Sequence, residues 1–162
     1  MDEMNHVIKE NPYLPFDKRK LDREKPKKKK SFNHIRIDPA DEVFSIFIRI
    51  RDGRCVRCRR PGTADRFGRM IKGLQCSHYF GRGRESTRFD SENADALCFG
   101  CHKIWGSEDK EGYRNFKIKQ LGEDGFQKLD IRQSLPQKKD RKMDLMYWRE
   151  RIKKDFDVSE KI

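Results

Sequence analysis

Four of the five cysteines fall in two Cys-x-x-Cys pairs, Cys55 with Cys58 and Cys98 with Cys101. Such a pair in a tight turn can set two sulfurs at about 2.3 Å from one zinc ion. One pair alone is shared with redox motifs. Two pairs in one chain supply the four thiolates of a tetrahedral structural zinc (Zn2+) site. A second set lies among them: His78 and Asn93 between the pairs, and His102 directly after Cys101. A neutral imidazole on a strand can take a proton from water near pH 7. A second imidazole on a facing helix can hold a divalent ion. His78, Asn93 and His102 therefore read as a catalytic site beside the zinc, which would fix His102 in place. The competing reading makes His78 a structural hairpin histidine and His102 a member of the zinc module with no substrate role. The odd cysteine, Cys76, reads as a buried thiol.

These residues need elements to position them. Asp38-Pro39-Ala40-Asp41-Glu42 is a helix start, with a capping Asp, Pro in the first turn and acids after it. Val43, Phe44, Phe47 and Ile48 follow at helical spacing, and the helix should end near Gly53; this stripe predicts core packed on the zinc module. Residues 63–73 read as a loop, Leu74 to Phe80 as a strand, and Gly81 to Asp90 as a loop carrying Arg82, Arg84 and Arg88. Ala94 to Cys98 reads as a second strand with small residues on one face. Cys101 to Trp105 reads as a short helix stopped by Gly106. Knuckle, hairpin, then knuckle on a first helical turn is a treble-clef arrangement. A helix recapped at Ser107-Glu108-Asp109 should run to Leu121 with Tyr113, Phe116 and Leu121 inward. Gly122 to Gly125 breaks it, and Phe126 to Leu135 is helical again. A last helix over residues 138–156 carries Leu145, Trp148, Ile152 and Phe156 on one face. That stripe is core first; a basic face for DNA or a dimer seam comes second.

The expected organisation is α+β: a small zinc-stabilised treble-clef module over residues 38–125, preceded by a basic flexible arm (1–37) and followed by a helical extension (126–162). Among 162 residues, 34% are hydrophobic and 41% charged, so a large apolar core is excluded. A central module of roughly 50 residues needs a metal or disulfide to hold it. The net charge of +12 points to phosphate polyanions, or to a merely soluble basic protein. The arm contains the run Lys25-Pro26-Lys27-Lys28-Lys29-Lys30, which reads as nucleic-acid-binding or as a solvated tail; Tyr13, Leu14 and Phe16 could dock locally. No apolar signal or membrane segment is legible, and thiols on metal suit a reducing cytoplasm.

The stretches SHY, TRFDSEN and LCFGCH, with the upstream helix and first Cys-x-x-Cys, resemble the HNH (ββα-metal) endonucleases, and more closely the phage NinG (Rap) recombination proteins. The resemblance spans roughly Phe44 to Gly125. It implies a DNA endonuclease in a phage-infected bacterial cytoplasm, acting on branched DNA such as Holliday junctions, with Mg2+ or Mn2+ as catalytic ion and a homodimer supplying two active sites. It implies His78 as general base, His102 as ligand of the catalytic metal, and Asn93 as the residue that orients the loop bearing the base. Many relatives place Asp before the first His; Ser77 stands there, so Cys76, Asp90, Asp95 or water would complete the metal shell. Arg82, Arg84 and Arg88 could clamp phosphates or form a solvated loop, Arg88 being the first choice. A non-catalytic zinc protein that binds nucleic acid, and a homing or restriction-type HNH nuclease, are the alternatives.

Overall fold

The computed structural model describes residues 37–156; the lysine run and Tyr13, Leu14 and Phe16 lie outside the described residues. The fold is mixed α and β. Helix α1 (Pro39–Asp52) starts as the sequence requires: the Asp38 carboxylate accepts a 2.9 Å hydrogen bond from the Ala40 N–H. It ends at Gly53, whose φ of 61° suits a residue without Cβ and whose N–H donates to the Arg49 carbonyl.

Strands β3 (Leu74–His78) and β4 (Ala94–Cys98) pair antiparallel, with Cys76 opposite Ala96 and His78 opposite Ala94. The strand pleat separates two faces. Cys76, His78, Ala94 and Ala96 share one, and the alanines let α1 lie close, so that Phe44 and Ile48 are fully buried. The end of α1 is stitched to β4. Arg51 donates to the carbonyls of Ser91 (2.7 Å) and Ala94 (2.9 Å), and Asp52 accepts from the Ala96 N–H (2.7 Å).

Residues 63–73 are not a plain loop. They form a second ribbon, β1 (Thr63–Ala64) with β2 (Met70–Lys72). Asp65 builds its turn by accepting from the N–H groups of Phe67 and Arg69 and pairing with the Arg69 guanidinium, side-chain chemistry that no period-2 pattern announces. The loop after β3 also contains one helical turn, α2 (Glu85–Arg88). Helix α3 (Phe99–Lys103) is not stopped by Gly106. It widens into a π-turn over Ile104–Glu108 before Asp109 caps α4 (Lys110–Ser134) by accepting from Gly112 N–H. The expected break appears within α4 as a kink at Gly122 (φ 74°, ψ 165°).

Helix α5 (Arg141–Phe156) packs into the same core as α1. Its buried Trp148 has ring centroids 4.8 Å from Phe44 and 4.6 Å from Phe47. The apolar stripe expected on this helix is thus core. No helix among the described residues is long and apolar enough to cross a membrane.

Candidate metal centre and candidate active site

The two Cys-x-x-Cys turns meet at the end of the β3–β4 hairpin. In the first, the Cys55 N–H donates to Arg60 O and the Arg59 N–H to Cys55 O, which curls the chain around the sulfur and holds Arg59 at φ 64°. The Val56 N–H donates to Ala96 O, fixing this knuckle to β4, from which Cys98 continues into α3 and Cys101. All four sulfurs lie within 4.8 Å of one another, and Cys58 Sγ is 3.7 Å from Cys98 Sγ. A tetrahedron with about 2.3 Å bonds has edges of about 3.8 Å, so donor type and spacing both fit zinc. The sulfurs are free thiols rather than disulfides. The backbone N–H of Arg60 pulls the Cys58 thiol down, toward the thiolate that a metal requires. Burial pushes Cys101 up, opposed by the Arg57 guanidinium 3.8 Å from its sulfur.

Asn93 is fully buried and saturated. Its Oδ1 accepts from the Phe80 N–H (2.8 Å), and its Nδ2 donates to the carbonyls of Phe80 (2.9 Å) and Thr87 (2.8 Å). One side chain thereby closes the segment from residue 80 to residue 87. That segment delivers the Arg88 carbonyl to 2.9 Å from His78 Nε2. A carbonyl only accepts, so Nε2 carries the proton and Nδ1 keeps the lone pair. Burial pushes the His78 pKa down to about 4, so the ring is neutral at pH 7. Asn93 and His78 thus hold one loop from its two ends.

His102 is held by a different partner. Its Nδ1 is 2.8 Å from Gln75 Oε1. Gln75 and His78 are three residues apart on β3, so the pleat sends them to opposite faces. His78 stands against α1, its ring centroid 5.7 Å from that of Phe44, while His102 lines a shallow cleft with Gln75, Phe99 and Ser107. His78 also lines a cleft with Trp105 and Gly106, a Cβ on Gly106 would lie 3.8 Å from the His102 ring, and the Arg82 charge lowers the pKa of both imidazoles after burial does, so the two rings border one region while bonding to different partners. With Nδ1–H donating to Gln75, His102 Nε2 is left as one available metal donor.

The residues expected to complete a catalytic shell are engaged apart from it. Asp95 is fully buried. Its carboxylate pairs with Lys117 at 2.5 Å and accepts from the Tyr113 hydroxyl at 2.9 Å. Asp90 pairs with Arg132. Cys76 faces α1, and burial pushes its thiol up to about 12. Among the described residues, the four cysteines are the group of His, Cys, Asp and Glu that converges as a metal site. The donors around His102 do not fit a protein-built Mg2+ or Mn2+ cage.

The arginine loop divides. Arg88, the first choice for a phosphate contact, instead binds Asp41 of α1 through both Nε (2.9 Å) and a terminal nitrogen; it fastens the loop to the helix and is corrected to a structural role. Arg82 and Arg84 are exposed. Sequence reasoning missed Lys117, fully buried yet donating to Glu92 O, Gln120 Oε1 and Asp95. Its position one turn beyond Tyr113 on the inward stripe was the available signal. It also missed Arg49, one turn beyond Ser45 on the α1 face that meets β3.

Compared with known proteins, the chain matches no protein-family model, no curated protein and no solved structure. The chemistry of the site rests on its own geometry.

Proposed function

We propose that the protein is a DNA endonuclease of the HNH class, with a treble-clef zinc module carrying the site and branched DNA, such as a four-way junction, as substrate. The observation that carries this reading is the Asn93–loop–His78 assembly: a buried amide closes residues 80–87 with three hydrogen bonds, the Arg88 carbonyl that follows meets one imidazole nitrogen, and the other nitrogen keeps its lone pair. The net charge of +12 favours a polyanionic substrate.

In the proposed reaction a water attacks phosphorus and gives its proton to His78 Nδ1. The bond from phosphorus to the 3′ oxygen breaks, and that oxygen is protonated from solvent. Asn93 positions the loop and never meets the substrate. His102 could offer Nε2 to a divalent ion, but its neighbours supply no carboxylate. That same fact favours the second reading, a zinc-stabilised nucleic-acid-binding protein without catalysis. A homodimer would provide the paired cuts that junction resolution requires.

Cleavage of a four-way junction and of supercoiled plasmid, with Mg2+ or Mn2+ added, separates these readings. The nuclease cuts, and His78→Ala slows cutting by about 100-fold or more. Binding without cutting by either protein selects the second reading. Selective cutting of one linear duplex sequence selects a homing or restriction-type enzyme.

A further inference from the structure

Between α1 and β3 lies a cleft of about 330 Å³ lined by Glu42, Ser45, Arg49, Cys76, His78 and Arg82, with Asp41 at its edge. This is the size of a small-ligand site. Its charges are distributed unequally. Asp41 is neutralised by Arg88. The Cys76 thiol stays protonated. Glu42 remains as an exposed rim carboxylate. Against it stand two guanidiniums. The half-buried Arg49 donates Nε to Ser45 O at 3.0 Å, which fixes the plane of its fork, and among the described residues it has no carboxylate partner. Burial lowers its pKa and the nearby Arg69 charge adds to this, beyond what Asp65 and Glu42 restore. Arg82 also has no carboxylate partner among the described residues, and its carbonyl accepts from Arg88, which is tied to α1 through Asp41. Arg51, Arg69, Arg88, Arg132 and Arg141 are all paired with carboxylates.

We propose that Arg49 and Arg82 grip one phosphodiester of a nucleic-acid backbone in this cleft, beside His78. Two guanidinium forks match the two non-bridging oxygens. With Glu42 counted, the cleft carries one net positive charge, which a singly charged diester balances; a doubly charged monoester would leave negative charge against the Glu42 carboxylate. The subsite rests on the nuclease reading for any chemistry after binding, and its test reads binding alone.

The test tracks the His78 ring and the Arg49 and Arg82 side chains by NMR in the full, zinc-loaded chain. The probe is dithymidine monophosphate, which has one internal diester, with inorganic phosphate as the comparison. The dinucleotide should perturb all three residues saturably. Arg49→Gln and Arg82→Gln should each weaken it by about tenfold, and Glu42→Gln should tighten it, with unchanged thermal unfolding. Arg82 is in an exposed loop, so its variant folds even where an Arg49 variant does not. Tighter binding of inorganic phosphate, no response at His78, or Mn2+ broadening His78 in place of the dinucleotide would overturn the proposal. If the dinucleotide binds as stated and no DNA is cut, the subsite stands and the nuclease reading falls. If DNA is cut and both arginine variants bind normally, the reverse holds.

Discussion

Asn93 and His78 hold the loop between residues 80 and 88 from its two ends. Replacing Asn93 by Ala strands the Phe80 N–H and O and the Thr87 O. Stranded buried groups cost about 1–3 kcal/mol each before water relieves them. Asn93→Ala should therefore lose about 2–4 kcal/mol in denaturant unfolding, with faster hydrogen exchange at Phe80; unchanged exchange there would show that the loop does not depend on the amide. His78 gives a pH signature. Its folded pKa is about 4, pushed down by burial from an ordinary value of 6.5. Between those values the unfolded chain holds more protons. The stability due to neutral His78 is fully present above about pH 6.5 and is lost as pH falls toward about 4. Stability measured across that window should fall less steeply for His78→Gln than for wild type, and equal slopes would mean that the ring titrates normally.

At the scale of elements, α1 links core to site. It carries Phe44 and Phe47 against Trp148 of α5, Asp41 against Arg88, and Arg49 against the cleft. Trp148→Ala should cost about 3–5 kcal/mol and loosen α1. A thermal midpoint equal to wild type would make α5 a dispensable appendage. Most of this frame was legible in the sequence, for local physical reasons. Asp38 and Pro39 announce a helix start, Gly53 its end, Ala94 and Ala96 a close-packed strand face, and Trp148 and Ile152 a buried stripe. What was not legible depends on contacts between distant residues. The β1–β2 ribbon depends on the Asp65 turn, and Arg88 turned from the solvent to Asp41 across a long sequence separation. The orientation of His102 depends on its bond to Gln75 of β3, another contact between residues far apart in sequence. Gly106 looked like a stop, but the π-turn carries the chain past it to the Asp109 cap.

For the whole molecule, the four-thiol cluster joins segments that otherwise share only a small core. Cys55 is fully buried, and Cys98 and Cys101 nearly so. Structural zinc sites of this kind supply about 10–16 kcal/mol of apparent binding free energy at pH 7, as much as a domain's whole net stability. One zinc per chain should be found by elemental analysis, and chelation should collapse the Trp105 and Trp148 fluorescence cooperatively. A metal-free chain with the same melting curve would contradict the role given to the cluster.

In the proposed nuclease, zinc module, Asn93 and loop together present the unprotonated His78 nitrogen to a phosphodiester. Chemical rescue measures this most directly. His78→Ala should leave a folded, zinc-loaded protein that binds a four-way junction but does not cut it, and free imidazole should restore cutting in proportion to its unprotonated fraction. A His78→Ala protein that cuts at the wild-type rate without imidazole would contradict a general-base role for His78.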